Sequence, residues 1–203
     1  MTFNDGFVLQ PSIDVAANGF AVNVWSNFDL DDYDGAVESG EFSEVDLAGS
    51  YSHKIGPVNA SVGIVEYLFP AGADSTGEIF AGLGMDVGAG FSVSSKLYYD
   101  YDQVDDFYVT AGVGYSYTIN EPTTLGLSGT ISYAGEDFAE IYAGGTDSGF
   151  FNYLLTASVK YMVTDALGVS ANINYTDSMD KDVLPDDAVD TTVFGGISLT
   201  YAF

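Results

Sequence analysis

Cysteine is absent, so the fold can rest on no disulfide, thiolate metal site or cysteine nucleophile. Arginine is absent too. The four basic residues are the lysines Lys54, Lys96, Lys160 and Lys181, set against 30 Asp and Glu for a formal charge of −26. Such a chain cannot neutralise a phosphate backbone, which excludes a nucleic-acid partner. No apolar run approaches the roughly 20 residues that a transmembrane helix needs. The opening MTFNDG carries no basic stretch followed by an apolar one, so an export signal, if the protein is exported, has been removed or left out. What the chain does have is 24 Gly, 15 Tyr and 14 Phe, and the aromatic and β-branched content argues against the disorder that so much charge would otherwise suggest.

These residues are arranged with a period of two, the mark of strands with one apolar face. Phe20, Val22, Val24, Ser26, Phe28 and Leu30 point one way, and Ala21, Asn23, Trp25, Asn27 and Asp29 the other. The same alternation runs through Glu44–Ser52, Glu78–Val87, Phe91–Asp102, Phe107–Tyr117, Leu125–Tyr133, Phe151–Tyr161, Leu167–Tyr175 and Val193–Phe203. Two less regular runs, Val8–Ala16 (interrupted by Pro11) and Val58–Phe69, bring the count to eleven strands with no helix.

Alternation alone does not say which face is inside, because a soluble lipocalin-like barrel alternates as well. Three features favour the apolar face outward. Connections alternate between short (17–19, 53–57, 88–90, 119–122, 164–166) and mostly longer (29–41, 70–75, 102–106, 135–149, 177–190), as in a transmembrane barrel. The apolar face ends in aromatics at both levels. Tyr51, Phe91, Tyr115, Tyr117 and Tyr161 lie near the short turns; Phe28, Phe42, Tyr99, Phe107, Tyr133, Phe151 and Tyr175 lie near the loops. These suit two interfacial girdles better than ordinary cross-strand pairing. Charges such as Asp14, Asp46, Asp86, Lys96 and Lys160 fall on the other parity, with Glu66 the exception, which a bulge or an interfacial position would accommodate.

The reading is therefore all-β: an antiparallel up-and-down transmembrane β-barrel forming one domain in a bacterial outer membrane. The closing strand SLTYAF, with aromatics at 201 and 203, resembles the C-terminal signal read by the barrel assembly machinery, so Phe203 implies that partner alongside outer-membrane lipid. If Phe203 is periplasmic, alternating directions place Met1–Gly6 outside. An even barrel then needs a twelfth strand before Met1, with 2–6 the remnant of a tight hairpin. The segments NDGFVLQPSIDVAANGFAVNVWSNFD, FSEVDLAGSYS and VGIVEYLFP resemble the TorF-like porin family. That resemblance implies an outer-membrane channel or scaffold.

The chemistry expected of the chain is that of a lumen. Pore-lining candidates are Asn23, Trp25, Glu44, Asp46, Glu78, Asp86, Lys96, Asp100 and Lys160. Rings of Asp and Glu select cations, which points to passive diffusion of small solutes with cation preference. Inward Trp25, Phe80, Tyr98, Tyr108, Phe150 and Phe194 could instead close the lumen, giving a plugged structural or adhesive barrel with acidic outer loops; a soluble barrel binding an apolar ligand is the third reading. No catalytic residue is expected: His53 falls in a turn, and no nucleophile and base stand together. The spacing of Asp29, Asp31, Asp32 and Asp34 is out of register with an EF-hand loop, and Asp180, Asp182, Asp186 and Asp187 surround Lys181. Both sets read as solvated acidic loops before they read as Ca²⁺ ligands, and no cofactor is expected. The Gly82–Gly84 and Gly112–Gly114 pairs lie inside strands with no following helix, so they suit a crowded wall and not a phosphate cradle.

Overall fold

A computed structural model describes residues 6–32, 38–188 and 192–203. It contains one antiparallel sheet of twelve strands: β1 (Val8–Leu9), β2 (Ser12–Ala17), β3 (Phe20–Asp29), β4 (Phe42–Ile55), β5 (Val58–Leu68), β6 (Thr76–Gly88), β7 (Phe91–Asp100), β8 (Phe107–Asn120), β9 (Thr123–Ala134), β10 (Gly149–Met162), β11 (Leu167–Ser178) and β12 (Val193–Tyr201). Each strand from β3 onward pairs with its neighbours in sequence, the up-and-down order expected. Eleven runs become twelve strands because the first is split. Pro11 has no N–H to give to the ladder, so β1 and β2 pair separately with β3 on either side of it. β3 to β12 are 9 to 14 residues long, enough for tilted strands to cross a bilayer core.

Sequence chemistry sets the turns. Asn18-Gly19 and Ala89-Gly90 are two-residue hairpins in which both residues have positive φ, at 54° and 87° and at 52° and 85°. Gly19 and Gly90 each accept a hydrogen bond from the next strand over (Ser52 and Ser116), and a Cβ at either glycine would lie within 2.7 Å of that strand's carbonyl oxygen. The remaining connections at this end are also short, at 56–57, 121–122 and 163–166, whereas those at the other end span 30–41, 69–75, 101–106, 135–148 and 179–192. β12 ends beside the short turns, where Ala202 donates to the Ala166 carbonyl.

The faces are inverted relative to a water-soluble protein. Val22, Val62, Leu83, Leu127 and Ile173 are each 56–58 % exposed, although they belong to the most apolar positions of the wall. Ser26, Asn27, Asp29, Ser43, Thr76, Glu78, Asp100 and Ser132 are buried. An apolar band of this extent is stable only against lipid, so the soluble-barrel reading fails. The girdle aromatics pair across strands at both levels: Phe20 with Tyr51 and Phe91 with Tyr115 near the short turns, Phe28 with Phe42 and Phe107 with Tyr133 near the loops. Among the described residues β2 and β12 each pair on one side only, and both run toward the short-turn end.

Three expectations need correction, and one of the two alternatives for Glu66 falls away. The 135–149 connection is not structureless: it holds the helix α1 (Glu136–Ala143), and Asp186–Ala188 forms a single 3₁₀ turn. The first is closed by Gly144 at φ 70°, with the Gly144 and Gly145 amides returning to Glu140 and Ala139. In β10 a bulge between Phe150 and Tyr153 reverses the parity, so Phe150 faces out beside Tyr133 while Phe151 turns inward. His53 lies within β4, exposed and stacked on Tyr51, and not in the turn. Glu66 sits in unbroken register with Leu47 and Gly77, so no bulge accommodates it; the Tyr101 hydroxyl reaches it over Gly77 at the loop end. That hydrogen bond to Glu66, more than desolvation, pushes the Tyr101 pKa up to about 12. The hairpin expected at 2–6 falls, apart from Gly6, outside the described residues.

The inverted wall predicts opposite outcomes for neighbouring substitutions on β7. Val93→Arg puts a charge on the lipid face at a cost on the order of 2–4 kcal/mol near the membrane midplane. Heat-modifiable migration and vesicle insertion should show impaired assembly, whereas Ser94→Arg, on the lumenal face, should assemble normally.

Candidate functional site

The inward face changes character along its length. Toward the short turns it is built from the smallest residues. Ser92, Gly114, Ser116, Gly126, Ser128 and Ser158 line, with Asp86, an open hollow of about 250 Å³. Asp86 and Lys160 are exposed at this level, away from the other charged candidates. Higher up, Asn23 donates to Asp14 at 2.8 Å, and Thr156, Asn172 and Asn174 form a hydrogen-bonded row across β10 and β11. Trp25 is half-buried opposite Asp46. A larger groove, about 520 Å³, runs across the outer face between Phe91 and Val193, but its lining is almost wholly apolar and offers little to orient a polar solute.

Toward the loops the inward face becomes acidic and crowded. The β3–β4 ladder shifts register after Asn27, which brings Asn27, Asp29 and Ser43 together: the Asn27 amide donates to Ser43 Oγ at 2.9 Å and to Asp29 Oδ1 at 3.1 Å. Glu44 and Asp46 stand two residues apart on one face of β4. Glu78 and Asp100 are directly opposed across β6 and β7, and are 6 % and 1 % exposed. Neutral donors hold both. Tyr67 donates to Glu78 Oε2 at 2.7 Å; Thr76 donates to Asp100 Oδ2 at 2.7 Å; and the Asp102 and Val104 amides donate to Asp100 Oδ1 at 2.9 and 3.2 Å.

Helix α1 folds over this level. It has no side-chain cap of its own, and Asp106 from the β7–β8 loop serves instead, accepting from the Phe138 amide at 3.1 Å. A carboxylate at a helix N-terminus also meets the favourable end of the helix dipole. Phe138 stacks on Tyr108 at 4.9 Å between centroids and meets Phe151 edge-on. Ala139 closes against Ala134 and Val183 in the small apolar cluster beneath the helix. The 179–192 loop locks the arrangement, since the Asp182 carbonyl accepts from the Thr146 amide at 2.7 Å. Burial, followed by the charges of Asp100, Glu78 and Glu44, raises the Tyr142 hydroxyl above its ordinary range. Tyr142 therefore remains a neutral hydroxyl at the mouth.

The loop carboxylates do not converge. Among the described residues no three His, Cys, Asp or Glu side chains are placed to hold a metal ion. Asp29 is buried with Asn27, Asp31 and Asp32 are exposed in local turns, and Asp34 lies outside the described residues. Asp180 accepts from the Asp182 amide, Asp187 is exposed, and Asp186 pairs with Lys181 at 2.5 Å, which raises the lysine pKa.

Of the lining candidates, Glu44, Asp46, Glu78, Lys96 and Asp100 occupy one region, and Asn23, Asp86 and Lys160 lie below it. Sequence reading missed Tyr67, Thr76, Phe138, Tyr142 and Phe151. For α1 a signal existed: Phe138, Ile141 and Tyr142 at helical spacing, acidic residues in the first turn and Gly144-Gly145 behind them.

No family model matches the sequence, and no curated protein matches it. Solved structures do. The fold is similar to that of the NanC porin in a rhombohedral crystal form, with a TM-score of 0.64 and 15 % identity over 96 % of this chain and 92 % of that one. It is also similar to the KdgM porin in complex with disordered oligogalacturonate, with a TM-score of 0.62 and 12 % identity over 97 % of this chain and 91 % of that one. At these identities the likeness is one of fold: an up-and-down β-barrel of the porin type.

Proposed function

We propose that this chain is a porin-like channel of the bacterial outer membrane that passes small solutes by passive diffusion and prefers cations. The observation that carries this reading is the inverted wall, apolar toward lipid and polar toward an interior whose loop end is acidic. Its fold neighbours are porins, one of them solved with oligogalacturonate, an acidic sugar chain. An acidic solute suits this lumen poorly. Lys96 and Lys160 are its lysines, there is no arginine, and Glu44, Asp46, Glu78 and Asp100 crowd the upper level. Asp46 Oδ1 is buried with no hydrogen-bond partner among the described residues. We further assign the chain to the TorF-like porins, on residues 4–29, 42–52 and 62–70, with the Phe203 strand as its handle for the assembly machinery. A catalytic role has no support in an exposed His53 that stacks on Tyr51.

One feature favours a second reading. Helix α1, packed by Phe138 onto Tyr108 and Phe151, narrows the mouth and would make a plugged structural or adhesive barrel if it never yields.

Two measurements in planar bilayers separate these readings. Under a salt gradient the reversal potential should have the sign of cation selectivity, and Glu78→Gln with Asp100→Asn should shift it toward zero; anion selectivity would overturn the proposal. Replacing 136–143 by a flexible Gly-Ser linker should raise single-channel conductance severalfold. A silent unaltered protein whose linker variant conducts would favour the plugged barrel.

A further inference from the structure

Phe80 on β6 and Tyr98 on β7 face each other across the ladder on the lumenal side, with ring centroids 5.9 Å apart and planes tilted by 48°. Phe80 lies back against the wall because Gly63, on the adjacent β5, has no side chain: a Cβ there would fall 2.4 Å from Phe80 Cζ. The ring therefore shows one face to the wall and the other to the lumen. That free face is already used. The Lys96 ammonium sits 3.8 Å from the Phe80 centroid and 4.7 Å from that of Tyr98. Lys96 makes no ion pair within 4.0 Å among the described residues, although Glu78 lies two residues from Phe80 on the same face. The ammonium thus rests on aromatic faces inside an acidic field, the arrangement by which proteins bind weakly hydrated organic cations.

We propose that Phe80, Tyr98 and Glu78 form a binding site for organic ammonium groups in the lumen, and that Lys96 is its tethered competitor. This deepens the cation-preferring reading by naming a solute class, amines and above all N-methylated ammonium compounds. A quaternary ammonium donates no hydrogen bonds, so ring faces and nearby carboxylates supply nearly everything it needs. The Lys96 chain is long and flexible enough to move its charge aside when a solute arrives. Lys96 is the one lysine at this level, beside the carboxyl groups of Glu44, Asp46, Glu78 and Asp100. A tethered ammonium makes the site self-occupied at rest, so solute binding is weakened without being abolished, which suits passage more than capture. Phosphate or carboxylate solutes meet repulsion at the same place.

The test uses tetramethylammonium chloride titrated into the detergent-solubilised full chain by calorimetry, with sodium chloride at equal ionic strength as the control. The same titration is then followed as reduction of sodium current in bilayers. Lys96→Met should tighten tetramethylammonium binding, and Phe80→Leu should weaken it, each by about 3- to 30-fold, the range expected for a cation–aromatic contact. Tyr98→Leu provides the equivalent measurement if Phe80→Leu fails the heat-modifiable migration check of folding. Binding unchanged by Lys96→Met, or unaffected by loss of the ring, would overturn the proposal. Calorimetry reads the site whether or not the lumen conducts. Binding without conductance sinks the channel reading and keeps the site; conductance without binding does the reverse.

Discussion

The ladder of hydrogen bonds between neighbouring strands is the constraint from which the rest follows. A backbone amide placed in hydrocarbon without a partner costs several kcal/mol, so a wall that crosses lipid must satisfy its polar groups by pairing strand with strand. Pairing fixes the side chains to alternate faces, and the bilayer then decides which face takes which chemistry. The local exceptions follow the same logic. Pro11 has no amide to give, and there the first run breaks into β1 and β2. At Phe150–Tyr153 the bulge leaves two residues opposite one, and both Phe151 and Asn152 point inward as a result.

Because alternation is enforced, the interior must be filled or left open by the choice of inward residues alone. Near the short turns glycine and serine leave space. Near the loops Tyr67, Phe80, Tyr98, Tyr108 and Phe151 intrude, and α1 completes their packing from above. Glycines decide where rings can lie: Gly63 admits Phe80 on the inside, and Gly77 admits Tyr101 beside Glu66 at the loop end. Narrowing is therefore concentrated at the mouth, the level that also holds the buried carboxylates.

How much of this is legible in the sequence differs by scale. Face parity for Val22, Leu83, Leu127 and Ile173 is readable because each sits in a long, uninterrupted alternation, and one face assignment settles a whole strand. The asymmetry of the connections is readable for the same reason. Phe151 is not, because a bulge adds one residue without disturbing composition, and parity beyond it is inverted. The α1 fold-over is hidden differently: eight residues with a helical pattern show that a helix can form, but only the contacts with Tyr108, Asp106 and Val183 determine where it lies. The grouping of Glu44, Asp46, Glu78 and Asp100 depends on ladder register across four strands, which no single segment encodes.

The character of that acidic level rests on what holds its carboxylates in place. In a water-soluble protein a buried carboxylate is commonly paired with a lysine or arginine, which fixes its position and cancels its charge together. Here the two roles are separated. Tyr67 fixes Glu78, while Thr76 and two backbone amides fix Asp100, and none of these donors carries a positive charge. The single lysine at this height turns its ammonium to Phe80 and Tyr98 instead of closing an ion pair. Position is thus defined without a counter-charge, and in a low-dielectric wall any charge these groups carry acts with more force than it would in water. Absence of arginine from the whole chain has the same consequence. A lumen built this way holds its carboxyl groups in place without a basic partner for each.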